Sequence, residues 1–191
     1  QLLMDEILIK DELGDAFSPS HDVFEDIALI RYIERIFQDK ESTTDFFDKL
    51  NGKQPAIRRA FRLWVNDQLQ MVSNSFVSFI NIVFSKETNI MAQYWKDEII
   101  TSILLSPYCS NFFVVNEVLF SATSYKLILR FIHLLRTTCQ EPDDKLVEAN
   151  SQRSKTGYWI YLKPIGPGWE VIIRYIYAHL NDLKEQGPLI F

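Results

Sequence analysis

From Pro55 to about Ser85 the chain places Phe61, Val65, Leu69, Val72, Phe76, Phe79 and Val83 in steps of three and four. Those steps put all seven on one stripe of an α-helix, because a turn takes 3.6 residues, whereas a strand would scatter them over both faces. No other feature constrains the fold as strongly, since a greasy stripe of about eight turns must be covered, and helices cover helices. Pro55 suits the first turn, where its missing N–H costs nothing, and the segment is expected to be the central helix, with a break around Asn74.

Helical spacing recurs on either side. Leu3, Met4, Ile7 and Leu8 with Gly14 just beyond predict a first helix. Asp22 and Glu25 form a capping-box variant ahead of Val23, Ile27, Ile30, Ile33 and Phe37, and a short helix capped near Thr43 turns Phe46, Phe47 and Leu50 inward before Gly52. "NIMAQYWKDEIITSILL" reads as a helix stopped by Pro107, and one or two helices follow to Cys139. Residues 140–156 are polar and read as a mobile surface loop. "GYWIYLKP" is rich in β-formers, and a lone strand needs a partner from an unrecognised strand or another chain unless it stays merely extended. Trp169 to Gln186 completes the chain as a last helix through Ile172, Tyr175, Ile176, His179, Leu180 and Leu183.

With 47% hydrophobic and 14% aromatic residues the chain can bury enough surface to offset its ordering entropy. The expectation is a mainly α, single helical domain over residues 1–191: a multi-helix bundle with a short extended or β segment near residues 158–164, the strand and helix of 157–191 forming a carboxyl-terminal appendage.

The charge of −5 disfavours nucleic acid and anionic membrane as partners. Two cysteines without a CxxC, and three widely separated histidines, encode neither a disulfide framework nor a metal site, and no cofactor motif appears. No apolar run approaches the roughly 18 residues of a membrane span, and no basic-then-apolar signal opens the chain, so a cytoplasmic or cytosol-facing protein with no transmembrane segment is expected.

"KPIGPGW" has the glycines of a phosphate loop but not its chemistry. Pro164 and Pro167 delete N–H groups that a phosphate cradle would use, and Trp169 and Glu170 put bulk and negative charge at the helix start, so the segment reads as a turn. His133 and His179 sit among apolar neighbours and read as core or boundary residues; His21 falls in a turn. The acids Glu141, Asp143 and Asp144 belong to the solvated loop and no catalytic residue is assigned; an enzyme assembled from dispersed residues around His133 or His179 is the alternative reading. Arg58, Arg59 and Arg62 form a positive strip suited to an acidic protein partner. Tyr158, Trp159, Ile160 and Tyr161 are too many aromatic and aliphatic side chains for one strand face, so together with Trp169 they point to a homodimer or partner contact.

The blocks "DVFEDIALIRYIERIF", "TTDFFDKL", "RRAFRLWVNDQLQMVSNSFVSFI" and "QYWKDEIITSILL", over about residues 22–105, resemble in their order those of RUN domains. The resemblance rests on Phe46 and Phe47, the arginines before Trp64, and Tyr94 with Trp95. It implies a helical module that binds a small GTPase or a trafficking partner. The sequence thus leads to an intracellular protein–protein interaction or scaffold module.

Overall fold

The computed structural model describes residues 8–10, 17–19, 22–50, 54–85, 90–123, 125–143 and 162–185. The protein is mainly α, with ten helices and two small antiparallel sheets among the described residues. It divides into two compact units, Gln1–Val65 and Asn66–Phe191, and the boundary falls inside a helix, where no loop-like composition marks it.

The first unit opens with β1 (Leu8–Lys10) paired to β2 (Phe17–Pro19), Leu8 opposite Pro19 and Lys10 opposite Phe17. This corrects the expected first helix. A helix of about ten residues is marginal alone, and a second extended run satisfies the same backbone groups by pairing. Residues 3–7 of that expectation lie outside the described residues. α1 (Asp22–Gln38) follows the expected period, but only its second half is covered: Ile33 and Phe37 are buried while Val23 is 64% and Ile27 52% exposed. α2 (Thr43–Leu50) is capped by Ser42, whose Oγ accepts the Asp45 N–H at 3.1 Å, and it buries Phe46, Phe47 and Leu50 as its spacing requires. α3 (Pro55–Met71) supplies Phe61 and Trp64. The Trp64 ring meets Phe37 at 4.9 Å and Phe46 at 5.8 Å, and its Nε1–H donates to Glu34 Oε2 at 2.6 Å, so the polar end of a fully buried indole is satisfied.

In the second unit the expected break is real. Val72 takes φ 49°, the Ser73 N–H reaches back to the Gln68 carbonyl at 3.2 Å, and α4 (Asn74–Ser85) starts at once, with Ser73 Oγ accepting the Phe76 N–H at 3.4 Å. Ser73 thus closes one helix and caps the next. The centre of this unit is α5 (Ile90–Leu105) rather than the long stripe: α5 packs on three other helices and buries Trp95, Ile99, Ile100, Ile103 and Leu104 on one side and the polar Glu98, Thr101 and Ser102 on the other. Because polar residues are buried along with apolar ones, the spacing of α5 does not mark it as central. α6 (Cys109–Val115), α7 (Glu117–Ala122) and α8 (Lys126–Thr138) follow, and α6 was unanticipated. Phe112, Phe113, Phe120 and Phe131 from these three helices interlock, with Phe113 stacked on Phe120 at 5.0 Å and Phe112 on Phe131 at 5.6 Å.

β3 (Gln140–Pro142) pairs antiparallel with β4 (Leu162–Pro164), Glu141 opposite Lys163, so the stretch read as loop begins with the partner strand that the extended segment needed. Residues 144–161, including the rest of that loop, lie outside the described residues. The turn reading of "KPIGPGW" acquires a steric reason. Gly166 has φ 77°, and a Cβ on Gly168 would stand 2.8 Å from the Leu104 carbonyl oxygen, so the chain passes directly over the end of α5. The last helix is two, α9 (Gly168–Ala178) and α10 (Leu180–Glu185), parted at His179.

Candidate functional site

α6 and α7 meet at one residue, Asn116, which is buried and whose Nδ2–H donates to the Phe112 carbonyl at 3.0 Å. α9 packs against α6, and a cleft of about 460 Å³ lies between α9 and the α6–α7 corner. Phe113 and Tyr175 are its buried apolar floor; Glu117, Glu170, Arg174 and His179 are its ionisable lining. The α9 contributions follow from helical spacing, since Glu170 with Arg174, and Val171 with Tyr175, are four residues apart and share one side.

His179 stands at the end of α9 with its ring stacked on Tyr175, centroids 4.2 Å apart. Its Nδ1 is 3.0 Å from the Tyr175 carbonyl oxygen and its Nε2 3.2 Å from Glu117 Oε1. Both oxygens are acceptors, so a ring nitrogen that carries a hydrogen donates to the oxygen it faces. Each ring nitrogen is thus within hydrogen-bond distance of a protein oxygen. Burial holds the Tyr175 hydroxyl well above the usual phenol range, with Tyr125, Glu117 and Asp182 adding to it, so it is a neutral hydrogen-bonding group at ordinary pH. The Cys109 thiol, fully buried and close to Cys139, is pushed up to about 12, first by burial and then by that neighbour, and is no nucleophile.

Apolar side chains crowd this region. Val114 and Val118 are each 78% exposed, Ile173 61% and Tyr177 82%. Scattered exposed apolar residues are ordinary; of these four Val114 lines the cleft, while Val118, Ile173 and Tyr177 stand on α7 and α9 outside its lining.

The chain matches no family model and no curated protein sequence. That result neither supports nor refutes the expected resemblance to RUN domains, and no residue takes a role from it. Among the described residues no group of three or more His, Cys, Asp and Glu could hold a metal, and no single helix is long and apolar enough to cross a membrane.

The structure brings Arg58, Arg59 and Arg62 together around a hollow of about 450 Å³ with Pro55 and Leu63. Arg59 is committed within the first unit, its Nε–H to Asp26 Oδ1 at 2.6 Å and its Nη2–H to Glu25 Oε2 at 3.1 Å, so acids of α1 offset part of the strip. Trp169 is half-buried, and its Nε1–H donates to the Cys139 carbonyl at 2.7 Å, which ties the start of α9 to the end of α8. Tyr158, Trp159 and Tyr161 lie outside the described residues. His133 is exposed on α8 rather than at the core, because the buried set Leu127, Ile128, Phe131, Leu134 and Leu135 occupies the opposite side. Glu141 pairs across the small sheet with Lys163 at 3.1 Å, a solvated ion pair as its surroundings imply.

Sequence reasoning reached His179 but missed Val114, Glu117, Val118 and Arg174. A signal existed for the valines: they fall out of phase with Phe112, Phe113, Leu119 and Phe120, the residues that the core takes.

Proposed function

We propose that this protein is a protein–protein interaction or scaffold module that docks its partner in the cleft between α9 and the α6–α7 corner. The observation that carries the reading is the cleft itself, which combines the buried floor of Phe113 and Tyr175 with the 78% exposed Val114 and a charged lining. Covering such side chains contributes about 1.5–3 kcal/mol each, while rim charges set register and partner choice. The raised, neutral Cys109 thiol weighs against a cysteine nucleophile, and two buried thiols fit a cytosol-facing module. A second surface is favoured by the arginine hollow of the first unit, which suits an acidic partner such as a small GTPase; binding there depends on nucleotide state and falls on reversing Arg58 and Arg62.

The test is co-purification from native extract with the wild-type chain, Val114→Asp, and Ser78→Asp on the exposed side of α4 as control. A stoichiometric partner kept by wild type and control and lost by Val114→Asp is the expected result. Equal retention by Val114→Asp overturns the cleft as the docking surface, and turnover of a small substrate that vanishes in His179→Gln overturns the binding module.

A further inference from the structure

α9 shows solvent a ridge of four residues at helical spacing: Glu170, Ile173, Arg174 and Tyr177. Ile173 is 61% and Tyr177 82% exposed, although α9 otherwise buries its apolar residues well, with Ile172 and Tyr175 in the core. Glu170 and Arg174 pair with each other at 2.5 Å across one turn, with side chains 67% and 79% exposed. So open an i,i+4 pair contributes little to the helix, and either member can exchange partners at little cost.

We infer that this ridge pairs with the same ridge of a second copy of the chain, the two α9 helices antiparallel about a two-fold axis beside Ile173. Self-complementarity is what singles out this occupant. A two-fold contact presents one patch to itself, so each charge must find its opposite at the symmetry-related place. With the axis at Ile173, Ile173 meets its own copy, and Glu170 falls about 3 Å along the axis from Arg174 of the second copy, within reach of both long side chains. The two internal ion pairs exchange for two between copies, with no charge left unmatched. Tyr177 then lies over the first turn of the opposing helix. The apolar contact supplies the attraction, and the exchanged charges fix the antiparallel register. One eleven-residue helix, about 16 Å long, covers less area than a permanent dimer needs, so the association is weak and concentration-dependent. The inference does not rest on the cleft having an occupant: Glu170 and Arg174 also line the cleft, but Ile173 and Tyr177 lie outside its lining and Val114 takes no part in the pairing.

The experiment is sedimentation equilibrium of the intact chain at micromolar to millimolar concentration, with Glu170→Arg, Arg174→Glu, their equimolar mixture, and Ile173→Lys. Wild type should approach twice the 22.4 kDa chain mass as concentration rises. Each charge reversal alone puts like charges face to face and should weaken self-association at least about tenfold. The mixture restores it, because the Glu170→Arg chain offers two cations to the two anions of the Arg174→Glu chain. Helicity by circular dichroism confirms that each variant is folded, and Ile173→Lys, at a site already open to solvent, should be monomeric throughout. A wild type that stays monomeric, or single reversals that associate as wild type does, overturns the inference. A mixture no stronger than its components overturns the antiparallel register.

Discussion

Replacing Gly168 by alanine is expected to destabilise the second unit, although the usual effect of that change in a helix is the opposite. Gly168 is the first residue of α9, and a helical glycine exchanged for alanine ordinarily gains about 0.5–1 kcal/mol through a less disordered unfolded chain. Here the new Cβ would lie 2.8 Å from the Leu104 carbonyl oxygen, 2.8 Å from Leu104 Cδ2 and 3.1 Å from Leu104 Cα. The methyl of Leu104 can turn aside, but its backbone is held in the last turn of α5 and its side chain is wholly buried, so the start of α9 must retreat. Against fixed backbone the upper part of the overpacking range applies, about 2–3 kcal/mol, which leaves a net loss of about 1–2 kcal/mol. For a chain of this length that corresponds to a fall in Tm of roughly 3–8 °C, read by circular dichroism at 222 nm or by calorimetry. An unchanged or higher Tm would refute the close-approach account of the glycine turn and the placement of α9 built on it.

Val72→Gly should act in the other direction: a β-branched residue at φ 49° bears about 1–2 kcal/mol of strain that glycine relieves, so the denaturation midpoint should rise by the equivalent of about 1 kcal/mol, and a lower midpoint contradicts the helix-end geometry. Trp64→Phe removes a bond to a carboxylate and should cost about 1.5–3 kcal/mol by urea denaturation, whereas a loss below 0.5 kcal/mol, about what an exposed contact is worth, would mean that Glu34 contributes little. The Cys109 thiol is raised from its ordinary value of 9.0 to about 12 in the folded protein, so the neutral form favours folding; stability should be complete below pH 9 and decline as pH climbs toward 12, and Cys109→Ala should flatten that decline. The same thiol should resist iodoacetamide at pH 8 until the protein is unfolded, and rapid labelling of the native state would show that it is not buried.

What could be read from residues alone tracks how one-sided each segment is. α2 and the second half of α1 announce their buried faces because apolar and polar residues alternate at the helical period, and Phe46, Phe47, Leu50, Ile33 and Phe37 are buried where that period puts them. α5 hides its central place because it is surrounded: Glu98, Thr101 and Ser102, which would mark a solvent side, are buried as well. β1 and β3, three residues each, carry too few side chains for any period, and pairing decided their state. The cleft was legible only at His179. Glu117 and His179 are 62 positions apart and meet because α6 and α7 turn at Asn116 while α9 returns beside them.

The residue order by itself determined that this chain makes helices, where most of them start and stop, and that it assembles no familiar catalytic or metal-binding motif, since periodicity, caps and motif spacing are local properties of a sequence. Only the tertiary structure decided which apolar residues are spent on the core and which, like Val114 and Tyr177, stay in solvent, and which distant charges become neighbours. Burial and electrostatic pairing belong to pairs of segments: a stripe can demand cover, but its own residues do not say what supplies it.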